Sequence, residues 1–200
     1  MSYNITNGEK CHDFQQRLIS HCKTFCKDVE PDWESLINIT NCYSANKNTV
    51  LLRTNQYENK LRFLTKGVIK VVHEGVKTYV YDFRTKDDFL CDISSVVDNT
   101  PSKFSFITIT DCEWIEVSTK ILMKELKTNL FFQDLNKALM NRYLKKSQYK
   151  YTFLRINDAE KRYQIFCNEK PEVIKNAKLG DIASYLGITQ QSLSRIRNSK

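Results

Sequence analysis

The sequence predicts an α+β protein: a small antiparallel β-domain, then a long helix, then a helical C-terminus. Three observations carry that reading. Between Tyr43 and Thr119, short β-branched and aromatic runs alternate with turn residues. From residue 120 to 157, apolar residues recur at three- and four-residue steps. In the last stretch, Leu179 to Lys200, two short amphipathic patterns meet at Gly187.

Taken in order, residues 9–27 read as an amphipathic helix with Phe14, Leu18, Cys22 and Phe25 on one side. Pro31 opens a second helix in which Trp33, Leu36, Ile37 and Thr40 share a face. The strand candidates are Val50-Leu-Leu, Leu61-Arg-Phe-Leu, Val68-Ile-Lys-Val-Val, Thr78-Tyr-Val-Tyr-Asp-Phe and Phe104-Ser-Phe-Ile-Thr-Ile. Asn46, Asn48, Asn55, Gly67, Glu74-Gly75 and Asp98-Asn-Thr-Pro101 punctuate them. Many short strands of this kind close into a small antiparallel barrel or sandwich. The following helix carries a seam of Leu126, Leu130, Leu135, Leu139 and Tyr143. That seam either packs on its own β-domain or meets a second copy, and both can hold at opposite ends of one helix. Asp158 is positioned to N-cap the next helix, and Pro171 interrupts the chain beyond it.

The C-terminal stretch carries the most specific chemistry. Ile182 and Leu186 recur four apart before Gly187, and Leu193 and Ile196 recur three apart after it. Gly187 can adopt the positive φ that reverses the chain, and Thr189 is a good N-cap for the second helix. This is a helix-turn-helix layout, whose second helix enters the DNA major groove. At 100° per residue Gln190, Gln191, Ser194, Arg195 and Asn198 fall within about 140° of arc, opposite Leu193 and Ile196. Amides pair with adenine edges and guanidinium with guanine edges, so these residue types suit base reading. The candidate DNA contacts are Thr189, Gln190, Gln191, Ser192, Ser194, Arg195, Arg197, Asn198 and Lys200.

Charge placement agrees with a polyanion partner for this end. The net charge is +8 over 200 residues, but residues 137–200 hold 14 Lys/Arg against 5 Asp/Glu. Residues 1–136 hold 17 against 18 and are close to neutral. The polar first ten residues and the lack of an 18-residue apolar run lead us to expect a cytoplasmic protein with no membrane contact. Seven cysteines, odd in number and without a C-x-x-C, argue against a disulfide framework, and most are read as buried small hydrophobes. No metal and no cofactor are expected. His12, His21 and His73 stand in no catalytic constellation, and no glycine loop cradles a phosphate, so an enzyme is not expected.

Ile182-Ala-Ser-Tyr-Leu-Gly-Ile-Thr followed by Ser192-Leu-Ser-Arg-Ile-Arg resembles the C-terminus of Crp/Fnr-type bacterial transcription regulators. Weaker matches extend over nearly the entire chain. The resemblance implies a cyclic-nucleotide-binding-like β-roll with N-terminal helices over residues 1–125. It further implies a dimerisation helix and linker over 126–157 and a helix-turn-helix domain over 158–200. Leu135, Leu139 and Tyr143 would then mark the homodimer contact. Double-stranded DNA and RNA polymerase would be partners. Many relatives carry a wing after the recognition helix; here none is expected, so Lys175, Lys178, Arg197 and Lys200 would clamp the phosphates.

In nucleotide-binding members a Gly-Glu pair and a later Arg hold the ribose and phosphate. Here Cys91, Asp92 and Ser102 stand at those places, Ser94 lies nearby, and Lys103 should point to the other side of its strand. Losing the fixed cation makes control by cyclic AMP improbable in chemical terms. The candidate effector pocket therefore comprises Cys91, Asp92, Ser94, Ser102 and Lys103, with no nucleotide expected in it. Two readings follow: a homodimeric DNA-binding regulator, or a signalling module whose roll binds another small ligand and gates DNA binding. Positions 48 and 55, usually glycine in such rolls, hold asparagine, the next most tolerant residue at positive φ.

Overall fold

The computed structural model describes residues 4–5, 8–26 and 30–198. Among the described residues nine strands form two facing antiparallel sheets. One holds β1 (Asn4–Ile5), β2 (Thr40–Ala45), β9 (Cys112–Ser118), β4 (Lys60–Lys66) and β7 (Phe89–Leu90), in that spatial order. The other runs β3 (Val50–Leu52), β8 (Phe104–Thr108), β5 (Ile69–His73), β6 (Tyr79–Arg84), which leaves β6 on an edge. Side chains alternate across each strand, so the inward set of both sheets (Leu51, Leu64, Ile69, Phe106, Trp114) fills the roll. Asn48 and Asn55 do take positive φ, at 66° and 64°. Gly67, at φ 96°, allows no side chain: a Cβ there would lie 2.4 Å from the Asp111 carbonyl oxygen.

Two further cores flank the roll. On the outer face of the first sheet lie α1 (Gly8–Lys23), α2 (Trp33–Asn38) and the start of α5 (Leu130–Ile156). They bury Phe14, Leu18 and Cys22 with Phe63, Ile115, Phe131 and Phe132. On the outer face of the second sheet, Val80 and Phe83 join Phe153, Phe166, Ile182, Leu186 and Leu193. These last residues come from α5, α6 (Ala159–Glu169), α8 (Leu179–Leu186) and α9 (Gln190–Asn198). The described residues also form α3 (Ile93–Asp98), α4 (Thr119–Thr128) and α7 (Pro171–Asn176). Among the described residues no helix is long and apolar enough to cross a membrane.

Several expectations need correction. Thr40 is not helical: α2, N-capped by Asp32, ends at Asn38, and Thr40 starts β2. The strands β2 and β9 escape the pattern reading because Thr-Asn-Cys-Tyr-Ser-Ala is mostly polar and Glu116 of β9 faces inward. Glu116 is tolerated there because Arg62 and Lys60 pair with it, at 3.3 and 2.9 Å. The long helix is interrupted at Asn129, whose side chain accepts the Phe131 N–H and so N-caps a new helix. Cys11 and Cys42 form a disulfide, against the expectation drawn from cysteine number and spacing, because α1 packs across β2 and brings their Cα atoms to 5.5 Å. Cys22 and Cys26 do behave as buried hydrophobes, and burial pushes their thiols up to about 12 and about 11.

Candidate nucleic-acid interface and the roll cavity

The turn between α8 and α9 is built as the residue types demand. Gly187 sits at φ 70°, ψ 30°, and the Ile188 N–H closes on the Ala183 carbonyl at 3.0 Å. Thr189 Oγ1 accepts the Ser192 N–H at 3.1 Å and so caps α9. Ala183, Leu186 and Leu193 are fully buried at the crossing of the two helices. Opposite them, Gln190, Gln191, Arg195, Arg197 and Asn198 are exposed, while Ser192 and Ser194 are half-buried. Thr189 and Ser192 share a 2.9 Å contact at the cap, so both hydroxyls have a structural duty as well. Lys175 and Lys178 are exposed on the flank; Lys200 lies outside the described residues.

The helical domain is fastened to its own roll. The Val80 N–H on edge strand β6 donates to Ser184 Oγ at 2.9 Å. Lys70 pairs with Asp181 at 3.0 Å, and the Tyr185 ring lies 5.6 Å from Phe83 and 4.9 Å from Phe166. Lys170, which precedes α7, reaches Asp88 at 2.9 Å and Thr85 at 3.0 Å. Ser184 and Asp181 were not singled out from the sequence, since nothing local marks a residue whose partner is a hundred positions away.

The five candidate pocket residues separate into two groups. Cys91, Asp92 and Ser94 line a cavity of about 140 Å³ inside the roll, together with Arg84, Tyr81 and Tyr143. Ser102 does not line it: its hydroxyl donates to Asp92 Oδ2 at 2.7 Å, and both residues are buried. The other Asp92 oxygen accepts the Ser95 N–H and caps α3. Lys103 is exposed, in the bend just before β8. Arg84 is the cation of this cavity, and the sequence reading missed it because it precedes the cassette. Burial, and then the nearby Glu58, raise the Cys91 thiol well above its ordinary value.

Of the three residues assigned to a dimer seam, Leu135 belongs to its own chain's core at 9% exposure. Leu139 is half-buried and lines an apolar groove between α4 and α5. Tyr143 is 40% exposed.

No family model matches the chain, and no curated sequence is significantly similar to it. Solved structures do match. FixK2 from Bradyrhizobium japonicum superposes with a TM-score of 0.65 at 14% identity, over 80% of this chain and 84% of that one. A putative transcriptional regulator of the Crp/Fnr family from Eubacterium rectale gives 0.67 at 13%, over 92% and 81%. CLP, a c-di-GMP responsive global regulator from Xanthomonas campestris, gives 0.61 at 16%, over 83% and 88%. At these identities what is shared is the fold, which is that of Crp/Fnr-type regulators.

Proposed function

We propose that the chain is a Crp/Fnr-type, sequence-specific DNA-binding transcription regulator that acts as a homodimer and does not use cyclic AMP as its switch. The observation that carries this reading is the pair α8–α9. Its inner faces are fully buried and capped by Gly187 and Thr189, while α9 turns amides and guanidinium outward. The basic excess of residues 137–200 supplies the sequence-independent attraction to phosphates. A dimer through the exposed side of α5 would place two such helices on a two-fold operator, and RNA polymerase would be the partner of the DNA-bound form. Residues 158–200 form the DNA-binding unit, 126–157 the dimerisation helix and linker, and 1–125 the roll.

Independence from cyclic AMP is supported by the closed cassette. Asp92 and Ser102 satisfy each other, so a ribose and phosphate would have to break their 2.7 Å bond and meet no arginine from that loop. A second reading, a roll that binds another ligand and gates DNA binding, is favoured by one observation. The roll's β6 and the helix α8 share a single buried core, so movement at the cavity wall reaches the DNA-binding unit.

The test is selection of bound DNA fragments by the purified protein, with and without cell extract. A recurrent two-fold motif is the expected result. Recovery of random fragments under both conditions would sink the regulator reading.

A further inference from the structure

Beside the roll cavity lies a second cleft of about 280 Å³, between β6 and the C-terminal half of α5. Arg84 and Tyr143 line both spaces. The cleft gathers cations out of proportion to their partners. Arg84 Nη1 pairs with Asp82 at 2.8 Å, and Lys150 lies 3.7 Å from the same carboxylate. Lys146 and Lys170 both pair with Asp88. Of these groups Arg84, Lys146, Lys150 and Asp82 line the cleft itself, an excess of two positive charges, while Lys170 and Asp88 are outside its lining. The Arg84 and Lys150 side chains are 13% and 20% exposed, and that of Lys146 is 46% exposed. Burial lowers the Lys146 and Lys150 ammoniums below the usual lysine range despite the carboxylates beside them, and Arg84 adds to the effect. The buried Nε of Arg84 has no acceptor among the described residues. The rest of the lining is Tyr81, Tyr143, Tyr151 and Leu154, with Ser147 as its one neutral hydroxyl besides the tyrosines.

We propose that this cleft binds a small aromatic phosphate monoester, with its dianionic phosphate against Arg84, Lys146 and Lys150 and its ring against Tyr143, Tyr151 and Leu154. Two negative charges match the excess, and phosphate offers several acceptor oxygens to donors arriving from two elements. A monocarboxylate would leave one charge unmatched, and inorganic phosphate would leave the aromatic wall in water. The cleft is separate from the cassette, whose Asp92–Ser102 pair is untouched. Lys150 also lies 3.8 Å from the Tyr81 ring and 5.4 Å from that of Tyr185 on α8. A phosphate that draws Lys150 away thereby changes a contact of the helix-turn-helix. That consequence for DNA rests on the regulator reading above; the binding itself does not.

The experiment is calorimetric titration of the full chain with phenyl phosphate, inorganic phosphate and phenylacetate. Phenyl phosphate should bind at least tenfold more tightly than either comparison anion. Arg84→Gln and Lys150→Gln should each weaken it at least tenfold, and Ser102→Ala should leave it unchanged. Near-ultraviolet circular dichroism checks that Arg84→Gln is folded; Lys150→Gln, at the more exposed of the two side chains, carries the test if it is not. No heat at millimolar phenyl phosphate, equal affinity for inorganic phosphate, or indifference to Lys150→Gln would each overturn the site. A separate titration with a selected operator, with and without phenyl phosphate, reads the coupling. Ligand binding without DNA binding defeats the regulator reading and leaves the site standing; loss of ligand binding alone does the reverse.

Discussion

Arg195 and Lys178 meet DNA in different ways under this reading, and their substitutions should differ in kind. Arg195 stands on the exposed face of α9, so Arg195→Ala should cost about 1–3 kcal/mol at the selected site and relax base preference there. Lys178 flanks the groove, and Lys178→Ala should weaken all sequences alike and reduce the salt slope by about one. Binding isotherms at several salt concentrations, on selected and scrambled duplexes, separate the two. The cassette makes a second residue-scale prediction. Calorimetry with cyclic AMP should show no micromolar binding to the wild type, and a Cys91→Gly, Asp92→Glu, Ser102→Arg variant should gain some. Asn48 and Asn55 were legible in the sequence because asparagine tolerates positive φ where few residues do. Ser102 and Arg84 were not, since the role of each depends on a partner set by tertiary packing: Asp92 for one, the cavity and Asp82 for the other.

Among elements, α5 does two things along its length. Its first turns are anchored by Phe131, Phe132 and Leu135 in the core beside α1, and its later turns expose Leu144, which lines neither the roll cavity nor the cleft. A second copy would therefore meet the later turns. Sedimentation should show a species of twice 23.5 kDa, and Leu144→Glu should be monomeric while keeping a folded roll. It should also lose operator binding by more than tenfold, the operator having half-site centres about 34 Å apart or a multiple of that. A monomeric wild type with full affinity for an asymmetric site would defeat the assignment. The seam was visible as period, but not its break: Asn129 acts as an N-cap only because the chain turns there. The disulfide between α1 and β2 was illegible for a similar reason, since a separation of 31 residues carries no local signal. Replacing Cys11 and Cys42 by alanine should lower unfolding free energy by about 2–4 kcal/mol in denaturant titration.

Across the whole molecule, the roll and the helical domain are joined through one core and one charge cluster. Burial alone would raise the Asp88 carboxyl, but Lys170, Lys146 and Arg84 outweigh it and hold the group well below the usual carboxylate range. A carboxyl depressed in the folded state stabilises fully above its unfolded value near 4 and loses that contribution as the pH falls below it. Glu58 acts in the opposite sense: burial raises it despite Arg62, so its protonation relieves a cost. Acid unfolding should therefore begin with release of the helical domain, and Asp88→Asn should flatten the pH dependence below about 4. Far-ultraviolet circular dichroism against pH, on both proteins, measures this. Equal slopes would show that Asp88 does not hold the domains together.

The bond from Val80 to Ser184 has one more consequence. An edge strand with bare amides invites pairing with any extended chain nearby, and proteins shield such edges by covering them. Here the cover is α8, which belongs to the unit assigned to DNA. Any event that swings this unit away from the roll uncovers β6, so each release risks self-assembly through that strand, and brief openings are safer than long ones.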